Sequence, residues 1–134
     1  MVKKKVYPFS EIEIGKNFLS GISTHVDWEP RTNIIEAGDW LLIEVELPGV
    51  NKQDVSILLQ GTNELIIKGS KPQPRLEAPQ VTYHLFEREF GSFYKKIVID
   101  FPLDTSKINS VMENGVLTIK VPRKKAQKIS VNIK

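Results

Sequence analysis

From Thr32 to Pro122 turn residues cut the chain into short apolar runs, and this rhythm constrains the fold more than any other feature. Thr32 to Glu36 is followed by the turn Ala37-Gly38-Asp39. Trp40 to Leu47 alternates apolar and acidic residues in its second half, as a half-buried strand does, and Pro48-Gly49 stops it. Val55 to Leu59, Leu65 to Lys68 and Phe93 to Ile99 supply three more strands, separated by Gln60-Gly61-Thr62-Asn63 and Gly69-Ser70. No helix of ordinary length interrupts them. Short strands at this spacing predict an all-β fold, an immunoglobulin-like antiparallel β-sandwich of about 100 residues.

A hairpin closes the series. Asn114-Gly115 is the pair that best tolerates positive φ at both centres of a two-residue type I′ turn. Ile108 to Met112 forms its shorter arm, and Val116 to Val121 the longer one, which Pro122 ends by removing a backbone donor.

The connection between the fourth strand and Phe93 is out of proportion. Lys71 to Gln80 contains three prolines and is therefore extended; at roughly 3.1 Å per residue it spans on the order of 30 Å. Beyond it Val81, Tyr83 and Leu85 alternate with Thr82 and His84, a strand pattern carried on an arm. A strand so far from its own sheet pairs at low cost with the sheet edge of a second copy. The expectation is a strand-exchanged dimer whose acceptor edge is Thr32, Ile34 and Glu36. A hairpin folding back on its own sheet is the alternative.

Residues 1–28 form a separate N-terminal arm. Ser10-Glu11-Ile12-Glu13 reads as a capping box, Phe9 and Ile14 as a staple, and Ile14, Phe18, Leu19 and Ile22 recur at helical spacing. A helix this short is marginal in water and needs a surface to lie on.

Chemistry is hard to find. The chain has no cysteine, so disulfides, thiolate metal sites and cysteine nucleophiles are excluded together. Its two histidines, His25 and His84, fall in the two arms and read as surface or interface residues rather than catalysts. No phosphate-binding glycine loop, zinc spacing or nucleophile motif occurs, so no catalytic, cofactor or metal site is expected. No apolar run approaches the roughly 20 residues that span a bilayer, and Met1-Val2-Lys3-Lys4-Lys5 lacks the core of a signal peptide, which makes the cytoplasm the expected location. Six of the 19 basic residues follow Glu113 and none of the 16 acidic ones does. That basic tail reads as a solvated extension, not as a specific nucleic-acid site: Tyr7, Tyr83 and Tyr94 are scattered, not interleaved with basic residues as stacking platforms are.

Several of these segments resemble the small heat-shock proteins, built on the α-crystallin domain. Ser110-Val111-Met112-Glu113-Asn114-Gly115-Val116-Leu117 and Val121-Pro122-Arg123 are similar to that family's closing hairpin, and Pro30 to Glu36 to its opening strand. Leu47-Pro48-Gly49-Val50, Leu65 to Gly69, Glu87-Arg88 and Gly91-Ser92-Phe93 also match, so the likeness covers residues 30–122. One departure is Lys95, where the family has an arginine whose planar fork pairs with carboxylates at the dimer interface.

The resemblance implies an α-crystallin domain at 29–122 with a strand-exchange loop at 71–92, and a C-terminal extension at 123–134. It adds Glu87 and Arg88 to the exchanged segment. Val131-Asn132-Ile133 resembles the family's Ile-x-Ile tail, in which Val131 and Ile133 anchor an added strand in a neighbour's groove. The expected groove is Val55, Ile57 and Leu59 with Ile108 and Val111. The implied function is an ATP-independent holdase, a homo-oligomer whose partners are itself and unfolded clients, with Phe9, Ile12, Ile14, Phe18, Leu19 and Ile22 as the client-binding arm. A CS-type co-chaperone domain would lack the exchange arm and tail; a nucleic-acid-binding β-barrel would use the basic tail; an enzyme would depend on His84.

Overall fold

The computed structural model describes residues 26–125 and 128–134. Seven strands follow one another: β1 (Thr32–Ala37), β2 (Trp40–Glu46), β3 (Val55–Gln60), β4 (Glu64–Lys71), β5 (Gly91–Val98), β6 (Asn109–Glu113) and β7 (Val116–Pro122). They form two antiparallel sheets, β1-β2-β7-β6 and β3-β4-β5, packed as a sandwich.

The period of two decides what lies between the sheets. Leu41, Ile43 and Val45 of β2 sit opposite Val121, Ile119 and Leu117 of β7, and all six are buried. Leu65 and Ile67 of β4 with Phe93 and Ile97 of β5 complete the same core from the second sheet. Each such side chain contributes roughly 1.5 to 3 kcal/mol relative to exposure. Asn114 and Gly115 have φ of 53° and 74°, the doubly left-handed turn that the pair predicts.

Two local expectations change. Gly69-Ser70 was expected to break the fourth strand, yet β4 runs through both to Lys71. Gly69 is there because the chain packs tightly against it: a Cβ would collide with the Asp54 carbonyl oxygen and stand 2.6 Å from Phe93 Cζ. The second concerns Val81 to Leu85, which form no strand; residues 72–90 run without regular structure, outside both sheets. Alternation supplies side chains for a strand, but only a neighbouring edge supplies its hydrogen bonds.

Ahead of β1 the chain is tied across to β5. The amides of Asp27 and Trp28 donate to the Ser92 carbonyl at 2.9 and 3.2 Å, and the Trp28 and Phe93 ring centroids are 5.2 Å apart. The apolar positions Phe9, Ile12, Ile14, Phe18, Leu19 and Ile22, and His25, lie outside the described residues.

Candidate functional site

The features that point outward are two sheet borders, one groove and two apolar segments. β1 ends the four-stranded sheet and pairs only with β2 among the described residues. Its expected acceptor residues are fastened inward: Ile34 packs on the core, the Thr32 hydroxyl donates to the Pro30 carbonyl at 3.0 Å, and Glu36 accepts from Arg123 at 2.7 Å. The outward side of the strand is Asn33 and Ile35, the latter 40% exposed. The main-chain edge is what a second strand would bond.

The arm carries its apolar side chains in the open. Val81, Tyr83 and Leu85 are exposed, as are His84, Glu87 and Arg88. Leu76 and Phe86 join them, and sequence reasoning passed over both; the adjacent pair Leu85-Phe86 was the available signal, since it places apolar groups on both sides of an extended chain. Within the arm a small aromatic pile forms: Tyr83 meets Phe86 edge-on at 5.2 Å, Phe86 lies 6.0 Å from Phe90, Arg88 lies 4.9 Å from the Phe90 centroid, and Gln73 Nε2 donates to the Tyr83 hydroxyl at 3.2 Å.

The groove lies between the borders of the two sheets, where β3 and β6 face each other. Val55, Ile57 and Leu59 turn toward the core from β3, and Ile108 does so from the link before β6. An opening of about 170 Å³ is lined by Lys52, Val55, Ile57, Ser110, Met112 and Leu117. Cavities near 150 Å³ accept a benzene-sized group. Val111 is not in the lining: it is 49% exposed and pairs with Thr118, whereas Met112 pairs with the buried Leu117. Adjacent strand residues face opposite ways, so Ser110 and Met112 take the place expected for Val111.

Residues 128–134 of the tail form no strand with either sheet of their own chain. Ile129, Val131 and Ile133 are exposed, Ile133 completely. Arg123 is held by Glu36, by its amide donating to the Asp39 carbonyl at 2.7 Å, and by lying 4.1 Å from the Phe101 centroid.

Lys95 is buried on the inner face of β5. Its ammonium donates to Glu29 Oε1 at 2.7 Å and to the Pro30 carbonyl at 3.2 Å, contacts made within the chain just ahead of β1. Among the described residues there is no cluster of three or more potential metal-binding side chains, and no helix is long and apolar enough to cross a membrane. Asp104, which caps a short 3-10 turn, is the carboxylate whose pKa is lowered, chiefly by accepting from the Ser106 hydroxyl at 2.6 Å, and it has no reacting neighbour.

Comparison with known proteins agrees with this architecture. Residues 33–134 match the sequence profile described as the Hsp20/alpha crystallin family. The chain is 38% identical over 112 residues to small heat shock protein C2 of Rickettsia felis, covering 81% of this chain and 71% of that protein. It is 31% identical over 132 residues to the 17.6 kDa class I heat shock protein 1 of Arabidopsis thaliana, covering 94% and 81%. Among solved structures, heat shock protein 16.0 from Schizosaccharomyces pombe superposes with a TM-score of 0.66 at 33% identity, covering 80% of this chain and 99% of that one.

Proposed function

This chain belongs to the Hsp20/alpha crystallin family of small heat shock proteins, which are non-enzymatic chaperones, and from that premise we propose that it is an ATP-independent holdase built from strand-exchanged dimers. The observation that carries the proposal is where the apolar groups lie. The core closes without the arm or the tail, while Val81, Tyr83, Leu85, Phe86, Val131 and Ile133 stand in water. Exposed groups of this kind mark interaction surfaces.

In this reading the arm within 71–92 delivers Val81 to Arg88 to the β1 edge of a second copy, with Thr32, Ile34 and Glu36 at the acceptor. The extension 123–134 lays Val131 and Ile133 into a neighbour's groove beside Val55, Ile57, Ser110 and Met112. The arm at 1–28 offers Phe9, Ile12, Ile14, Phe18, Leu19 and Ile22 to clients. Heat loosens these weak contacts, and the uncovered surfaces capture partly unfolded chains. The family match supports this reading over the CS-type, nucleic-acid and enzyme alternatives.

The test pairs mass in solution at two temperatures with aggregation of a heated substrate protein in the absence of nucleotide. Oligomers that exchange subunits and keep the substrate soluble are expected. A monomer that leaves the substrate to precipitate refutes the proposal.

A further inference from the structure

Both ends of the 72–90 arm converge on one buried ammonium. Lys71, the last residue of β4, sits opposite Gly91, the first of β5, so the arm leaves and returns on the two sides of a single rung. Only 7% of Lys71 is exposed. Its Nζ lies 5.7 Å from the Trp28 ring centroid and 5.6 Å from that of Phe90, inside the reach of a cation–π contact. Trp28 is itself fixed, its Nε1 donating to the Gly91 carbonyl at 3.1 Å. The lysine stem passes over Gly49, where a Cβ would stand 3.2 Å from Lys71 Cε.

Stability does not account for a charge in this place. Burial first, and the neighbouring Arg88 second, lower the Lys71 pKa, with Glu89 acting the other way. Holding the proton therefore works against the fold, and a methionine would bury a similar stem without that cost. What the charge does supply is a link between two rings that belong to different segments. Phe90 ends the returning side of the arm, and Trp28 belongs to the junction ahead of β1.

We propose that Lys71 is a positioning residue that fastens Phe90 to Trp28 and so sets the direction in which residues 72–90 leave the sandwich toward a second copy. The proposal rests on the strand-exchange reading above, and its test separates the two. In a W40F background Trp28 is the sole tryptophan. Lys71→Met and Lys71→Arg are compared with it by tryptophan emission, by amide exchange across 72–91, by the dimer dissociation constant and by thermal unfolding.

Lys71→Met is expected to hold or raise the melting temperature, shift Trp28 emission, speed exchange at 86–91 and weaken the dimer by about tenfold, as the loss of two cation–π contacts implies. Lys71→Arg is expected to restore all of these. Unchanged emission and a dimer constant within about twofold would overturn the proposal, as would a lowered melting temperature with faster exchange throughout the domain, the mark of a merely structural residue. A monomeric parent protein would overturn strand exchange on its own, and emission and exchange at 86–91 would still decide whether Lys71 holds the roots of the arm.

Discussion

Replacing Val131 and Ile133 together by serine tests the docking of the tail. Both side chains are exposed in the single chain, by 80% and 100%, so burying them in a groove contributes roughly 3 to 6 kcal/mol. Ordering Val131, Asn132 and Ile133 costs about 1 to 2 kcal/mol each, a similar total, which strand hydrogen bonds offset in part. One tail alone is thus close to balance. Several tails on one particle act at millimolar effective concentration and hold it together while each still releases. Removing the two anchors tips every such contact toward release, and light scattering should show the particle reduced to dimers. Ser110→Phe, which fills the groove from the opposite side, should give the same mass. Combining it with the tail variant should cause no further change, because each variant removes the same contact. An unchanged mass refutes docking, and a fall to monomers refutes the separation of tail from exchange arm.

Three further outcomes are expected. Leu85→Asp with Phe86→Asp, at positions 74% and 56% exposed, should leave unfolding within about 0.5 kcal/mol of the parent while sedimentation shows dimers lost; a preserved dimer would remove the arm from the interface. Gly69→Ala should destabilise by at least about 1 to 3 kcal/mol, because the new methyl meets the Asp54 carbonyl and the Phe93 ring, and a thermal melt within a degree of the parent would show that the packing there yields. Lys71 titrates below 10.5 in the fold, so between its folded value and 10.5 the unfolded chain holds more protons and stability attributable to this residue rises with pH. Its cleft is lined by Glu29, Glu46, Glu87, Glu89, Arg31 and Arg88, and urea titrations of Lys71→Met should lack the rise.

Local rules read the sheets well and the junctions poorly. Alternation and turn residues are properties of neighbouring positions, so the core faces of β2 and β7 and the Asn114-Gly115 turn were legible. Gly69 was misread as a break because its constraint comes from Asp54 and Phe93, across the fold. Val111 was set beside Ile108 in the groove, but Ile108 precedes β6 and does not share its parity. The inward direction of Lys95 follows from its place between Phe93 and Ile97, whereas its partner Glu29 lies 66 residues away and no pattern connects the two. From sequence Lys71 is only the start of a proline-rich run, for the same reason. The arm shows the limit from the other side: its alternation is legible, but whether such a run becomes a strand depends on an edge that pairs with it.

The proposed shedding of subunits requires a fold that survives it. Among the described residues the central core runs from Trp28 to Val121; Trp28, expected in the N-terminal arm, belongs to it, and none of it comes from 72–90 or from the tail. Releasing the 72–90 arm or the tail therefore exposes apolar groups without withdrawing any from the core. The open borders are also poor templates for runaway pairing, since β1 and β6 are short, with six and five residues, and carry Glu36 and Glu113. A segment that docks there must bring its own side-chain anchors, because the border offers little beyond main-chain bonds. In the proposed assembly, selectivity for self at rest thus belongs to the arm and the tail. On the same proposal a partly unfolded client, which exposes both extended backbone and apolar side chains, would satisfy the same two requirements once heat has cleared the border.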